Sequence, residues 1–129
     1  MLAITSKSPY AVRALAELAR TGGTAPVPIG EIARRRDIPV QFLEGLFATL
    51  RRAGILVSQR GVKGGYSFAR APDTLTVLEV VEALEGTLGA EATGVFADAV
   101  AALRAQLSGV TIAEVAQREA GAGAAMYYI

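Results

Sequence analysis

The sequence predicts a mainly α-helical fold with one small β-hairpin. Three observations lead to this prediction: apolar residues recur with helical spacing in six segments, proline and glycine separate these segments, and a basic glycine-rich stretch at residues 60–65 divides two strand-like runs. Because two helices stand close together directly before the hairpin, the order is that of a winged helix-turn-helix. A chain of 129 residues, 52% of them hydrophobic, is long enough to form one domain with its own hydrophobic core.

The first helix is predicted to begin at Ser8-Pro9, because a serine hydroxyl can cap a helix and proline is favoured at the first helical position. Small and apolar residues then recur on one face until Gly22-Gly23 ends the segment. These residues are Ala11, Ala14, Leu15, Leu18 and Ala19.

Two further helices, separated by a three-residue turn, predict the helix-turn-helix. The second helix carries Arg34-Arg35-Arg36 and ends near Asp37, since Pro39 disfavours helical geometry at the residue before it. Pro39 opens the third helix, which ends at Ala53-Gly54. The buried stripe of this third helix is Leu43, Leu46, Phe47 and Leu50.

The hairpin that follows has strands at residues 55–59 and 66–69 and a basic tip. Glycine lets the backbone turn sharply and approach a ligand closely, while Arg60 and Lys63 neutralise phosphates along the DNA backbone or in the minor groove. The alternative is a solvated basic hairpin that binds nothing. The order of the preceding helices favours the DNA-binding interpretation.

The rest of the chain predicts three more helices. A capping box at residues 76–79 opens the fourth helix, which ends at Gly86. After a loop to Gly94, a fifth helix carries apolar residues at alternating steps of four and three, the spacing of a helix that pairs with another helix. These residues are Phe96, Val100, Leu103 and Leu107. Because the pattern covers less than two heptads, two alternatives stay equally open: the fifth helix pairs with a second copy, or it packs on its own domain.

A second capping box, residues 111–114, opens the last helix. The small residues 121–125 are predicted to end it and to free the tail, Met126-Tyr127-Tyr128-Ile129. The predicted domains are therefore a DNA-binding domain at 1–86, a linker with the dimerisation and final helices at 87–120, and a flexible tail at 121–129.

Charge is distributed unevenly along the chain. Residues 1–70 hold eleven of the thirteen Lys and Arg and four of the twelve acids, a net charge of +7, and the remainder carries −6. A basic front half indicates a polyanion-binding module. The absence of Cys and His removes thiolate and imidazole chemistry, so no enzyme, metal site or cofactor is predicted. With no apolar run of membrane-spanning length and no signal peptide, we expect a cytoplasmic protein.

The exposed part of the third helix holds the candidate base-reading residues. Gln41 can pair with adenine, and Glu44 can accept a hydrogen bond from a cytosine amino group. A solvated or capping glutamate is the alternative for Glu44. Phosphate or minor-groove contacts are predicted for Arg51, Arg52, Arg60 and Lys63, with Arg34-Arg35-Arg36 as further candidates of which at least one faces solvent or an acid of the chain.

The sequence resembles the Rrf2-type transcription regulators over nearly its whole length. The resemblance lies in Ile4-Thr5-Ser6-Lys7 with residues 10–15, Ile32-Ala33, Phe42-Leu43-Glu44, residues 50–56, Arg60-Gly61 with Gly64-Gly65-Tyr66, and residues 80–86. It implies a homodimer, joined through a long helix at residues 95–107, that reads a partly palindromic operator.

The resemblance also implies individual contacts with DNA. It places Gln41, Glu44 and Arg60 at base or minor-groove positions, and adds Ser6 and Tyr10 to the DNA-binding residues. Gly45 departs from the family pattern, in which a polar side chain is usual.

Many family members hold an iron-sulfur cluster on three cysteines in the segment that is residues 87–94 here. This segment has no Cys, so the chain is most similar to the cluster-free, CymR-like cysteine-metabolism repressors. That similarity implies that Tyr127, Tyr128 and Ile129 insert into O-acetylserine thiol-lyase, the cysteine synthase, where a carboxylate at Ile129 resembles that of an amino-acid substrate. Packing of the tail on the dimer helix, control by a small metabolite, and a winged helix that binds only protein remain open.

Overall fold

The computed structural model describes residues 4–22 and 25–127, without the side chains of residues 122–127. This part of the chain forms six helices and one two-stranded antiparallel sheet. In chain order the elements are α1 (Lys7–Thr21), α2 (Ile29–Arg36), α3 (Val40–Arg52), β1 (Leu56–Gln59), β2 (Gly65–Phe68), α4 (Val77–Glu85), α5 (Gly94–Ser108) and α6 (Ile112–Tyr127). The predicted fold class, mainly α-helical with a small β-hairpin, is confirmed.

The helix-turn-helix is formed by α2, residues 37–39 and α3, as predicted. Asp37 adopts a left-handed conformation with φ of 53°, which ends α2, and the N–H of Ile38 donates to the carbonyl of Ala33 at 2.9 Å. Pro39 precedes the first residue of α3 in an extended conformation. The prediction from Pro39 succeeds because proline restricts the residue before it and suits the start of a helix.

One hydrophobic core holds the helices together. The predicted stripe of α3 is fully inside it, with Leu43, Phe47 and Leu50 at 0% exposure and Leu46 at 5%. The inward face of α1 packs against this stripe and against α4. The orientation of α3 is therefore fixed by burial of one face, and the opposite face is left to solvent.

The start of α1 differs from the prediction. The helix begins at Lys7, so Ser8 lies in its first turn rather than at the cap, and the Ser8 hydroxyl donates to the carboxylate of Glu85. The same carboxylate accepts the N–H of Thr5 at 2.9 Å. Proline at the third helical position is tolerated because the first turn has no intrahelical N–H partners.

Both predicted helix starts at threonine are present. Thr76 forms a complete capping box with Glu79, and the N–H of Glu114 donates to the Thr111 hydroxyl at 3.1 Å. The two starts are also joined to each other: the N–H of Val77 donates to the carbonyl of Val110, and the N–H of Ile112 donates to the carbonyl of Leu75, both at 2.9 Å. This junction fixes the first turn of α6 beside the first turn of α4.

The end of α6 is a second correction. Residues 121–125 were expected to end the last helix, but α6 continues to Tyr127. Three of these five residues are alanine, the strongest helix former, and extension of an existing helix is much easier than nucleation. Within the described ranges, no helix is long and apolar enough to cross a membrane.

Candidate nucleic-acid interface

The exposed face of α3 carries the predicted base-reading residues. Gln41, Glu44 and Gly45 are all exposed, on the side of α3 opposite the buried stripe. Because α3 turns by about 100° per residue, positions 41, 45 and 52 lie nearly in line along the centre of this face. The structure therefore makes Gln41 and Glu44 available to a ligand, and no described residue covers them.

The hairpin β1–β2, together with its tip at residues 60–64, is here called the wing. Its strands pair Leu56 with Phe68 and Gln59 with Gly65. The tip turns at Gly61, whose φ is 108°, and the N–H of Gly64 donates to the Gly61 carbonyl at 3.0 Å. A Cβ on Gly64 would lie 2.1 Å from the carbonyl oxygen of Gln59. The glycine-rich sequence is thus required by the turn itself.

The wing is fixed to the helix-turn-helix by Tyr66. Its N–H and carbonyl both pair with Val27, each at 2.9 Å, and its ring meets Phe47 edge-on with centroids 5.1 Å apart. Gly65 allows this close approach, because a Cβ there would lie 2.3 Å from the backbone of Val27. The wing therefore holds a defined direction relative to α3.

The cations of α3 and the wing are exposed and hold no ion pair with any described acidic residue: these are Arg51, Arg52, Arg60 and Lys63. The guanidinium of Arg52 instead donates to the Thr49 hydroxyl at 3.3 Å. Such cations remain free to neutralise phosphates.

The arginines at the end of α2 behave differently. Arg36 pairs with Glu17 at 2.9 Å and with Glu119 of α6, and Arg35 pairs with Glu17 and Glu31. Burial lowers the pKa of Arg36, but hydrogen bonds to Glu119 and Glu17 outweigh burial and raise this pKa above its ordinary value. Two of the three arginines thus join α2 to α1 and α6, which agrees with the expectation that at least one meets an acid of the chain.

Of the two residues predicted to contact DNA before and within α1, Tyr10 lies beside the start of α3. Tyr10 is half-buried, with its ring edge-on to Phe42 at 5.5 Å and the guanidinium of Arg13 5.6 Å from its centroid. Ser6 is exposed just before α1. Tyr10 is therefore partly covered by contacts within the chain, whereas Ser6 is left exposed.

Glu85 holds this region in place, a role that the sequence analysis missed. Burial raises the pKa of Glu85, but hydrogen bonds from Ser8 and Thr5 and the charge of Lys7 outweigh burial, and the net pKa is lowered. The anion therefore stabilises the start of α1. The sequence signal for this role is the position of Glu85 at the helix end Leu84-Glu85-Gly86.

The predicted dimer residues divide into two groups. Val100 is 7% exposed and packs against Gly89, where a Cβ would come within 2.4 Å of its methyl group, and Leu107 packs on the core of its own chain. Phe96, by contrast, is 59% exposed, as is its neighbour Val95 at 73%. Leu103 is half-buried. In this arrangement Phe96 and Leu103 can reach a second copy and Val100 cannot.

Contacts within the chain explain why α5 lies on α4. Arg104 pairs with Glu82, whose carboxylate also accepts the N–H of Leu88 at 2.9 Å. Burial raises the pKa of Glu82, but the bonds from Arg104 and Leu88 outweigh burial and lower it overall. The predicted tail contacts cannot be placed in the same way, since Tyr128, Ile129 and the side chain of Tyr127 lie outside the described residues.

A sequence profile described as "Rrf2: Iron-dependent Transcriptional regulator" matches residues 4–118. A relative named HTH-type transcriptional regulator IscR, from Cereibacter sphaeroides, is 41% identical over 93 residues, which cover 70% of this chain and 60% of the relative. The chain thus spans about three fifths of the length of such curated relatives. Because these relatives are transcriptional regulators, the prediction that the chain is not an enzyme is confirmed.

Two solved structures are similar to the chain over most of its length. One is titled the structure of CymR (YrzC), the global cysteine regulator of B. subtilis, with a TM-score of 0.83, 28% identity, and coverage of 92% of this chain and 98% of that chain. The other is T. potens IscR, with a TM-score of 0.80, 32% identity, and coverage of 92% and 88%.

The iron dependence in the profile description does not fit the residues of this chain. The 129 residues contain no Cys and no His, the usual protein ligands of iron-sulfur clusters. Among the residues that the structure describes, no group of three or more His, Cys, Asp or Glu is arranged to hold a metal ion.

Proposed function

Because this chain belongs to the Rrf2 family of transcriptional regulators, we propose that it binds operator DNA through α3 and the wing and represses transcription at the bound site. The observation that carries the proposal is the contrast between exposed and paired cations. No ion pair with a described acidic residue is formed by Arg51, Arg52, Arg60 or Lys63. In contrast, Arg35 and Arg36 at the end of α2 form ion pairs with glutamates of the chain. Positive charge is left on the two elements that enter DNA in a winged helix-turn-helix.

Affinity and specificity then come from different residues. Gln41 and Glu44 on the exposed face of α3 read base edges in the major groove. The cations at the end of α3 and on the wing contact phosphates, which fixes the register but carries no sequence information. Since Glu44 is a carboxylate, a nearby phosphate would repel it, and a cytosine amino group is the partner that suits it.

We further propose that two copies pair through α5 and read a partly palindromic operator. Val95 and Phe96 are large apolar side chains left exposed on α5, and Leu103 lies half-buried farther along the helix. A two-fold contact buries the same surface on both copies. Val100 and Leu107 support this contact from inside each chain rather than across it.

The effector proposal is control through a complex with cysteine synthase, which places the regulator in cysteine and sulfur metabolism. Its support is the similarity to the CymR structure and the lack of cluster-ligating cysteines in this chain. The segment that would bind the enzyme is Tyr127-Tyr128-Ile129.

The DNA-binding proposal is tested by selection from a random-sequence DNA pool, followed by affinity measurements by fluorescence anisotropy at several salt concentrations. Enrichment of a partly palindromic site, with affinity that falls as salt rises, is expected. No enrichment and no salt dependence would instead favour a winged helix that binds only protein.

The effector proposal needs a separate test with purified O-acetylserine thiol-lyase. We expect binding by the full chain and none by a chain that lacks Ile129 or carries one extra glycine after it. Equal binding by all three chains would remove the tail as the binding segment, and no binding by the full chain would remove cysteine synthase as the effector. Either result leaves the DNA-binding proposal intact.

A further inference from the structure

Gly45 lies near the centre of the exposed face of α3, where the fold does not require glycine. It is helical, its φ is not in the left-handed region, and a Cβ built on it would meet no atom within 4 Å. The wing glycines Gly64 and Gly65 contrast with it, since a Cβ there would strike the backbone at 2.1 and 2.3 Å. Glycine inside a helix is less stable than alanine. The chain's own contacts therefore give no reason for Gly45.

The surroundings of Gly45 form a shallow groove beside the base-reading residues. The groove has a volume of about 320 Å³, and Lys7, Gln41, Thr49 and Leu84 also line it. The Thr49 hydroxyl is already used, because it donates to the Gly45 carbonyl at 3.2 Å and accepts from Arg52 at 3.3 Å. The part of Thr49 left without a hydrogen-bonding role is its methyl group. At Gly45, between Gln41 and Thr49, the helix surface is thus lower by one side chain, and Leu46 and Leu84 add apolar surface to the groove.

We propose that Gly45 makes room for the C5 methyl group of a thymine, so that α3 selects thymine at one operator position by shape. This inference depends on the proposed binding of operator DNA by α3. The thymine methyl is the apolar group that base edges present in the major groove, and apolar protein surface is its usual partner. A Cβ at position 45 is itself a methyl group, so it competes with the thymine methyl for the same volume.

If the two methyl groups compete for one volume, a methyl group added to the protein at position 45 should be tolerated only where the thymine methyl group is removed from the DNA. Deoxyuridine differs from thymidine in the base by this one methyl group, so an operator in which each thymine is replaced in turn locates the contact. For the native chain, each half-site should contain one thymine whose single replacement lowers the affinity about fourfold, which is the contribution of one buried methyl-sized group. Gly45→Ala should bind the thymine operator about tenfold more weakly and recover on the deoxyuridine operator, where the added Cβ fills the vacated space.

Gly30→Ala is the matched control. Gly30 is an exposed glycine of α2 whose Cβ would also meet nothing within 4 Å. This variant should bind both operators like the native chain. Thermal unfolding of both variants checks that each is at least as stable as the native chain, as alanine in a helix predicts.

Three results would overturn the inference. In the first, Gly45→Ala binds every operator with native affinity. In the second, Gly45→Ala loses the same affinity on the thymine and the deoxyuridine operators. In the third, the native chain keeps its affinity after every deoxyuridine replacement. The last measurement needs no variant and therefore stands even if Gly45→Ala folds poorly. If the native chain binds no DNA at all, the proposed function itself fails, and this outcome is distinct from the other three.

Discussion

The wing supplies the most direct quantitative test of DNA binding. Arg60 is exposed at the start of the tip and holds no ion pair within the described part of the chain. Its replacement by alanine therefore breaks no ion pair with a described residue and removes one cation from the proposed interface. We expect weaker binding to all DNA sequences and unchanged stability.

The expected magnitude follows from counterion release. Each neutralised phosphate contributes about 0.9 to the slope of log K against log salt, so Arg60→Ala should lower the magnitude by about one unit per protomer and about two per dimer. Between about 50 and 200 mM salt, a dimer with native Arg60 should lose roughly twelvefold more affinity than the variant.

The assay is fluorescence anisotropy on the selected operator and on random DNA at four or more salt concentrations. Arg118→Ala is the control, since it removes the same charge from α6, where the Arg118 side chain is 62% exposed and its only described acidic partner is Glu114 at 3.7 Å. Its slope should match that of the native chain. Equal slopes for Arg60→Ala and Arg118→Ala would show that Arg60 does not neutralise a phosphate, and its place in the proposed interface would be refuted.

Three further predictions test base reading, assembly and pH dependence. Gln41→Ala should cost about 1 to 3 kcal/mol at the preferred operator and relax the preference at particular base pairs, and an equal loss on random DNA would refute base reading. Phe96→Asp should place an unpaired charge in the α5 contact and yield folded monomers in sedimentation, so a stable dimer would exclude this surface. Glu85→Gln should lower the free energy of unfolding at neutral pH, as measured with denaturant. Because the folded-state pKa of Glu85 is lowered from its ordinary value, the stabilisation is fully present above the unfolded-state pKa and is lost as pH falls through the folded-state pKa. The difference in unfolding free energy between the native chain and Glu85→Gln should therefore narrow in acid, and a constant difference would contradict the role of the Glu85 charge.

The sequence predicted those features that local interactions determine. Pro39 set the turn before α3, and Thr76 with Glu79 set the start of α4, because each signal acts within four residues. The cap at Ser8 was wrong because its hydroxyl partner, Glu85, lies 77 residues away along the chain. Helical spacing identified an apolar face on α5, but periodicity does not say whether the same chain or a second copy covers that face.

The same limit applies to the candidate site. Gln41 and Glu44 could be selected from the sequence because the buried stripe of α3 defines the opposite, exposed face. The ion pairs of Arg35 and Arg36 could not be assigned individually, since they depend on where Glu17 and Glu119 lie in space. Local chemistry thus predicted which side chains of α3 are exposed better than it predicted which cations are left without an ion pair.

The junction between the starts of α4 and α6 has a mechanical consequence. Hydrogen bonds between residues 75–77 and 110–112 join the chain just before α4 to the chain just after α5, so the segment formed by these two helices is closed at its base. If α5 moves away from α4, we expect the displacement to stop at this junction and α6 to keep its position. In hydrogen exchange, the amides of Val77 and Ile112 should then stay protected while those of α5 exchange. A partner that captures α5 would therefore leave α6 seated on α1, with Arg36 and Glu119 still in contact.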